Sequence, residues 1–346
     1  MKQRVLICLM AFLTPGCTET DKKDWSTANF SVTELADGVY ACIHKPGGKA
    51  IGNSGIVDNG EATIVFDTFL SPDAAEELIR VVEQMKLSPI KYVINSHFDN
   101  DHVRGNQCFS SDVKILSTER TAELIREEEP KAIAEEKIYA KKLYEYYDSL
   151  DRAFTGDTAS SGYMTIKMMK PYFEELSQSH LKIRTRVPDT YVKGEMSLDG
   201  PEHKVLLIEK GKGHTESDLI MYLPVEGILF AGDLVFNEAH PWLGYGYAEE
   251  LKARLTELEL MQPRIVVPGH GDPGGVEAII STRDYIVEIE RIAKELTDAG
   301  GTAEDIKKVP IPGKYRDWII GNYFHSNLRY TLDKMKGQRP DSAPAQ

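Results

Sequence analysis

The segment Ser96-His-Phe-Asp-Asn-Asp-His102 contains two histidines and two aspartates within six consecutive residues. It follows Lys91-Tyr-Val-Ile94, a short apolar segment that is typical of a buried β-strand. A turn after such a strand can direct alternate side chains toward one point. Divalent metal ions bind this mixture of imidazole nitrogen and carboxylate oxygen. The segment therefore indicates a metal site, and a solvated Asp/Asn turn with incidental histidines is the alternative.

Three later segments repeat one pattern, in which an apolar strand ends in glycine and a possible ligand follows. Glycine at that point allows a sharp turn or a close approach of the backbone. Because α/β proteins hold their sites at the carboxyl ends of strands, we expect these ligands to converge with the first cluster. The segments are Leu206-Leu-Ile-Glu-Lys-Gly-Lys-Gly-His214, Ile228-Leu-Phe-Ala-Gly-Asp233 and Ile265-Val-Val-Pro-Gly-His270. Together they favour one metal centre over separate structural turns.

In order and in spacing, His-x-Asp-x-Asp-His, Gly-His-Thr, Ala-Gly-Asp and Pro-Gly-His resemble the motifs of the metallo-β-lactamase superfamily. The resemblance covers roughly residues 28–275. It implies an α/β fold, a four-layered αββα sandwich with a helical insertion, and one or two metal ions, usually zinc, between the sheets. By position, it places the first metal at His97, Asp99 and His214, the second at Asp101, His102 and His270, and Asp233 between them as a bridge.

Asp99 departs from the family pattern, since most hydrolases of this superfamily have histidine there. The aspartate resembles that of competence-type DNA-uptake and phosphorylcholine-esterase branches. A carboxylate makes the first site harder and more anionic, so Mn or Fe could partly replace zinc, or one zinc could be held at the second site. Asp67 matches the position of an acid that orients a metal ligand, and a turn aspartate is the alternative.

The resemblance implies hydrolysis. A divalent metal lowers the pKa of bound water toward about 7, and we expect the resulting hydroxide, oriented by Asp101, to attack the substrate.

Penicillin-cleaving members generally carry Cys or Ser near the position of Asp233, or Lys shortly after it, whereas Leu234-Val-Phe-Asn follows here. The wider pattern looks most like glyoxylase-type hydrolases. The expected substrate is a small molecule with an ester, thioester or lactone bond. The alternatives are a β-lactam, a phosphodiester, or a non-catalytic surface lipoprotein.

Length and charge limit the function classes. With 346 residues, 41% hydrophobic and 27% charged, the chain has ordinary globular composition. Its net charge of −13 makes nucleic acid a poor partner. The cysteine spacing matches neither a zinc knuckle nor a dense disulfide framework. Whether Cys42 and Cys108 pair stays open, as does the oligomeric state.

Residues 1–16 have the features of an export signal. Lys2 and Arg4 precede an apolar run that ends at Leu13 and is too short to span a bilayer. A helix of the fold is the alternative. Gly16-Cys17 resembles a bacterial lipobox. We therefore expect a protein of the periplasm or cell envelope, with a lipid anchor on Cys17, or else with a plainly cleaved signal.

The remaining chain predicts one domain over residues 28–336, followed by a disordered tail at 338–346. A helical insertion is expected at about 118–200, with helices within 118–182 and Glu127-Glu-Glu129 on a solvated face. The segment His240-Pro-Trp-Leu-Gly-Tyr-Gly-Tyr247 is predicted as an aromatic pocket wall or as a packed loop. Other helices are predicted at about 72–85, 247–261, 275–298 and 314–336.

Overall fold

The computed structural model describes residues 23–337. The expected signal at 1–16, the expected lipid-anchor residue Cys17 and the expected tail at 338–346 lie outside the described residues. Within the described range, no helix combines the length and apolar character that a membrane span needs. Cys42 and Cys108 are both free thiols.

The first of two β-sheets has seven strands, which neighbour each other in chain order. The first four strands run antiparallel and the last four, including the shared fourth strand, run parallel. Parallel neighbours need crossover connections, and helix α1 (Pro72–Met85) supplies one of them. The strands are β1 (Phe30–Ala36), β2 (Val39–His44), β3 (Ser54–Asp58), β4 (Thr63–Phe66), β5 (Ile90–Ile94), β6 (Lys114–Ser117) and β7 (Thr190–Tyr191).

The second sheet has five strands, in the order β12-β11-β10-β9-β8. Only β11 and β12 are parallel, and α5 (Ala248–Leu260) connects them. The strands are β8 (Glu195–Ser197), β9 (Leu206–Gly211), β10 (Asp218–Leu223), β11 (Ile228–Phe236) and β12 (Ile265–His270).

Two layers of helix enclose the sheets. Apolar side chains from both sheets, such as Ile64 and Phe230, pack against each other in a fully buried layer. Helix α1 packs on the outer face of the first sheet through Leu78. Helices α5, α6 (Val276–Asp298) and α8 (Asn322–Met335) cover the second sheet, and the short α7 (Ala303–Ile306) packs with them. This arrangement confirms the expected αββα sandwich.

The helices expected within 118–182 are α3 (Glu119–Ala153) and α4 (Ser161–Lys182), which pack along each other. The expectation of a solvated face at 127–129 was wrong for Glu129. Its carboxylate accepts a 2.7 Å hydrogen bond from Nε of the buried Arg104, and Nη2 of Arg104 donates a second 2.7 Å bond to Glu136. These buried ion pairs fix α3 against the segment that follows His102.

The helix predicted at about 314–336 begins only at Asn322. Residues Gly313–Tyr315 form a single 3-10 turn, and the residues between it and Asn322 form turns and an isolated bridge rather than a helix. The reason is pairing with another segment: Ile319 forms a parallel bridge with Ala239, and its carbonyl accepts a hydrogen bond from His240. That contact between distant segments has no local sequence signal.

Candidate metal centre

The seven residues expected to bind metal lie together in one cleft between the sheets. The turn after β5 leads into the four-residue helix α2 (Asn100–Val103) and positions the first four of them. The loop between β9 and β10 contributes His214, and β11 and β12 contribute the last two. Every member is at most 8% exposed: His97, Asp99, Asp101, His102, His214, Asp233 and His270.

His97, Asp99, His214 and Asp233 form the first group, in which one nitrogen or oxygen atom of each lies within 4.8 Å of the others. Oδ2 of Asp99 lies 3.4 Å from Nε2 of His97 and 3.2 Å from Nε2 of His214. Oδ2 of Asp233 is 3.6 Å from Nε2 of His214. Nitrogen and oxygen atoms that surround one metal ion have separations of this size.

Asp101, His102 and His270 form the second group under the same distance limit. Oδ2 of Asp101 lies 3.3 Å from Nε2 of His270 and 3.6 Å from Nε2 of His102. Oδ1 of Asp233 is 3.1 Å from Nε2 of His102, and its Oδ2 is 3.4 Å from Nε2 of His270. Asp233 therefore contacts both groups, which is the placement that a bridging carboxylate requires.

Two glycines allow Asp233 to occupy this position. Strand β11, which was predicted to end before Asp233, continues to Phe236. Gly232 has φ +54°, a conformation that favours glycine, and the pairing of β11 with β12 is irregular there. A Cβ atom on Gly269 would lie 1.8 Å from Oδ1 of Asp233. The strand is thus kinked rather than ended.

Asp67 orients two of the histidines. Its Oδ2 lies 2.9 Å from Nδ1 of His102 and accepts a 2.7 Å hydrogen bond from the hydroxyl of Ser96. Because the single hydroxyl hydrogen of Ser96 is used in the bond to Asp67, the hydroxyl oxygen accepts a 2.8 Å hydrogen bond from Nδ1 of His97. Both imidazoles therefore carry their proton on Nδ1 and present the lone pair of Nε2 to the cleft. This contact favours the orienting role over the simple turn.

The electrostatics of the cleft suit a cation. Burial opposes the charged form of His270, but Asp233 and Asp101 outweigh it and raise its pKa to about 9. Burial also opposes ionisation of Asp99, yet His97 and His214 hold the pKa of that carboxyl well below its usual value. Within residues 23–337, Nε2 of His97, Nε2 of His102 and Oδ1 of Asp233 have no partner in hydrogen-bond geometry. Buried polar atoms without partners are costly, so this donor set fits one or two divalent ions.

A cavity of about 470 Å³ opens beside Asp99. Its aromatic side comes from the segment 240–247, where Trp242, Tyr245 and Tyr247 line it, so the expected pocket wall is present. Trp242 also packs against Tyr323, so the same segment is in part a packed loop. Helix α3 contributes much of the remaining lining.

Two side chains that support the expected ligands were not predicted from the sequence. The phenol of Tyr245 donates a hydrogen bond to Asp99, from a loop that was recognised only as aromatic. Asp218, fully buried, accepts hydrogen bonds from the backbone and hydroxyl of Thr215 and so holds the turn that carries His214. The Thr that follows His214 and the acid three residues later were the available signal, because Ser/Thr and Asp side chains commonly close such turns.

Comparisons with known proteins agree with this site. The family described as the metallo-beta-lactamase superfamily matches residues 47–270, which include all seven expected ligands. The chain is 22% identical over 293 residues to a metallo-beta-lactamase type 2 of Bacteroides fragilis, covering 82% of this chain and 96% of that protein. It is 24% identical over 241 residues to the probable metallo-hydrolase YqjP of Bacillus subtilis (strain 168), covering 65% and 69%.

A solved metallo-beta-lactamase from Pontibacter korlensis superimposes with a TM-score of 0.53 at 17% identity, over 75% of this chain and 99% of that one. This likeness concerns the fold. The match of the family over most of the chain, together with the cleft that holds its motif residues, gives the assignment: the chain belongs to the metallo-beta-lactamase superfamily and is a metallo-hydrolase.

Proposed function

We propose that this metallo-hydrolase cleaves an ester, thioester or lactone bond in a small molecule, and that the seven clustered side chains are its metal ligands. The observation that carries the proposal is the pair of His/Asp groups joined at Asp233 beside a cavity of about 470 Å³ with an aromatic wall. Cavities of this size are typical of small-molecule sites.

A divalent ion held by these ligands supplies a water of lowered pKa and a Lewis acid. Asp101 is placed to orient the attacking water. Together with Asp233 and His270, it lines a second cavity of about 20 Å³, which has room for about one water molecule. Met168 and Phe236 are among the apolar residues that line the rest of this cavity. The substrate is expected on the Asp99 side, where the larger cavity opens.

A β-lactam is the second candidate substrate, because one of the relatives above carries the name of a β-lactamase. The cavity argues against it. Its two lining cations, Arg120 and Lys131, are both paired with glutamates, at 2.9 Å with Glu216 and 2.8 Å with Glu128. A β-lactam carboxylate that bound either cation would therefore compete with its glutamate partner.

Zinc-loaded protein assayed with chromogenic esters, thioesters, lactones, phosphodiesters and β-lactams tests the proposal. We expect turnover of the first three classes, its loss on chelation and its return with zinc. Asp101→Asn should lower kcat by about 100-fold, within the range for a lost acid–base group. Asp112→Asn, at an exposed aspartate, is the matched control. No turnover of the carbonyl substrates by zinc-loaded protein, or faster turnover of β-lactams, would contradict the proposal.

Export to the cell envelope is a separate proposal, supported by the charged and apolar pattern of residues 1–16 and by Cys17. Full-length protein expressed in a bacterium should lose residues 1–16 and enter the membrane fraction. Cys17→Ser should release it or block maturation. Mass spectrometry that finds Met1 intact in cytosolic protein would rule the export signal out.

A further inference from the structure

The lining of the cavity beside Asp99 is acidic as well as aromatic. Five glutamates line it, whereas only two basic residues do, Arg120 and Lys131. Four of the glutamates come from α3 and the fifth from the loop before β10. The glutamates are Glu128, Glu129, Glu135, Glu136 and Glu216.

The nearby cations do not balance these carboxylates. Arg120 pairs with Glu216 and also with Glu123 at 3.0 Å, and Lys131 pairs with Glu128. Arg104, which does not line the cavity, forms ion pairs with both Glu129 and Glu136. The five lining glutamates outnumber these three cations together with Lys212, whose ammonium lies beside the Tyr247 ring of the cavity lining.

Two of the carboxylates have oxygen atoms that could accept further hydrogen bonds. Glu136 is 1% exposed, and its Oε1 accepts from both Arg104 and Asn100, while its Oε2 has no hydrogen-bond partner among the described residues. Glu135, exposed at the cavity, has no ion pair within residues 23–337. A buried carboxylate oxygen without a donor is costly unless a ligand supplies one.

The aromatic wall suits the same kind of ligand. Cations are attracted to the faces of Trp and Tyr rings. One ammonium already uses this wall, since Nζ of Lys212 lies 5.0 Å from the centroid of the Tyr247 ring. Trp242 and Tyr245 continue the wall toward Asp99. A positively charged group in the cavity would thus have both aromatic rings and carboxylates among its neighbours.

We propose that the natural substrate carries a positive charge, as a quaternary or protonated amine, and that Glu135 and Glu136 with the aromatic wall select it. This inference rests on the proposed function, because it assigns the substrate class of that same site. The charged end would occupy the α3 side of the cavity while the bond to be cleaved lies near Asp99 and Asp233. Anionic substrates are rejected by the same carboxylates.

Three esters of one acyl group, matched in size, test the charge preference. They are the 2-(trimethylammonio)ethyl ester, its uncharged isostere the 3,3-dimethylbutyl ester, and the anionic 2-sulfonatoethyl ester. We expect kcat/KM of zinc-loaded protein to fall in that order, by on the order of tenfold between the first two. The advantage of the cationic ester should shrink as salt is added, because salt screens charges at an open cavity.

Variants on α3 locate the preference. Glu135→Gln should reduce the cationic-to-neutral ratio by about two- to fivefold and Glu135→Lys by more, through a higher KM for the cationic ester. Glu135 is exposed, so neither change threatens folding. Glu145→Gln and Glu145→Lys make the same charge changes at an exposed site on the same helix, outside the cavity lining, and should leave the ratio unchanged. Equal effects at the two positions would overturn the proposal.

The outcomes separate this inference from the proposed function. Turnover of the neutral and anionic esters at rates equal to the cationic one would refute charge selection while supporting the hydrolase. Without turnover of any ester, calorimetry with the trimethylammonioethyl ether and its 3,3-dimethylbutyl isostere still reports on the cavity. Tighter binding of the cationic ether, weakened by Glu135→Lys, supports the inference, and equal binding of both ethers refutes it.

Discussion

The phenol of Tyr245 donates a 2.6 Å hydrogen bond to Oδ1 of Asp99, while Oδ2 of the same carboxylate lies 3.2 Å from Nε2 of His214. Burial and the neighbouring Asp99 raise the pKa of Tyr245 well above its usual value, so the phenol remains a donor at neutral pH. Asp99 is the position at which this chain departs from the common family motif. The tyrosine occupies one oxygen and leaves the other facing the expected first metal.

Removal of that hydroxyl should weaken the first metal selectively. Partners that orient metal ligands typically contribute 10- to 100-fold to affinity, so Tyr245→Phe is expected to lower the affinity of the first group for zinc by roughly that factor. Competitive titration of apo-protein measures both sites. Tyr247→Phe removes a hydroxyl from the same cavity wall without touching Asp99 and is the control. Unchanged affinity in Tyr245→Phe would mean that the hydrogen bond has no part in metal binding.

Asp99 itself can be tested by stoichiometry. Asp99→Ala should convert two zinc-binding steps into one, because it removes an oxygen ligand from the first group. Asp99→His should retain two steps and favour zinc over manganese, since imidazole is the softer donor. If wild type and Asp99→Ala both bind a single zinc, Asp99 only holds the turn with Tyr245, and the second group does the chemistry alone.

The sequence identified the candidate metal ligands because four of them lie within six residues and the others follow strands that contain glycine. Tyr245 could not be assigned in this way, since 146 residues separate it from Asp99. The sequence did contain a signal for the burial of Glu129, but the run of charged residues around it suggested a solvated face. Glu129 and Glu136 lie seven residues apart, on the same face of α3 as the buried Ile125 and Ala140. The position of Glu129 on this face of the helix therefore indicated that its side chain is buried.

Loss of the Arg104 side chain should destabilise the protein strongly. Arg104→Met leaves Glu129 and Glu136 buried without their cation, and broken buried pairs typically cost about 3–5 kcal/mol of unfolding free energy. Urea denaturation measures the loss. Arg126→Met, at an exposed position of α3, should change stability by less than about 0.5 kcal/mol.

A triple variant distinguishes the cost of unpaired charge from the value of the network. Replacement of the whole set by apolar residues of similar size, as Arg104→Met with Glu129→Leu and Glu136→Met, should restore most of the lost stability. A triple variant as unstable as Arg104→Met alone would show that the ion pairs, rather than the burial of isolated charge, determine stability here.

His240 should make the fold sensitive to moderate acid. Its ring is fully buried beneath α6 and α8, with Nε2 donating to the carbonyl of Tyr315 and Nδ1 accepting from the hydroxyl of Tyr285, both at 3.1 Å. Burial lowers the pKa of His240 from 6.5 to about 4. Between these values the unfolded chain binds more protons than the native protein, so stability falls as pH is lowered from 6.5 to 4 and this contribution is flat outside that window. The loss amounts to at most about 3 kcal/mol.

His240→Gln keeps a donor and an acceptor but cannot titrate, so its stability deficit relative to wild type in urea should shrink across the same window. His180→Gln removes an exposed histidine and corrects for the loss of a titrating residue as such. If the deficit of His240→Gln stays constant from pH 7.5 to 4, protonation of His240 does not contribute to acid unfolding.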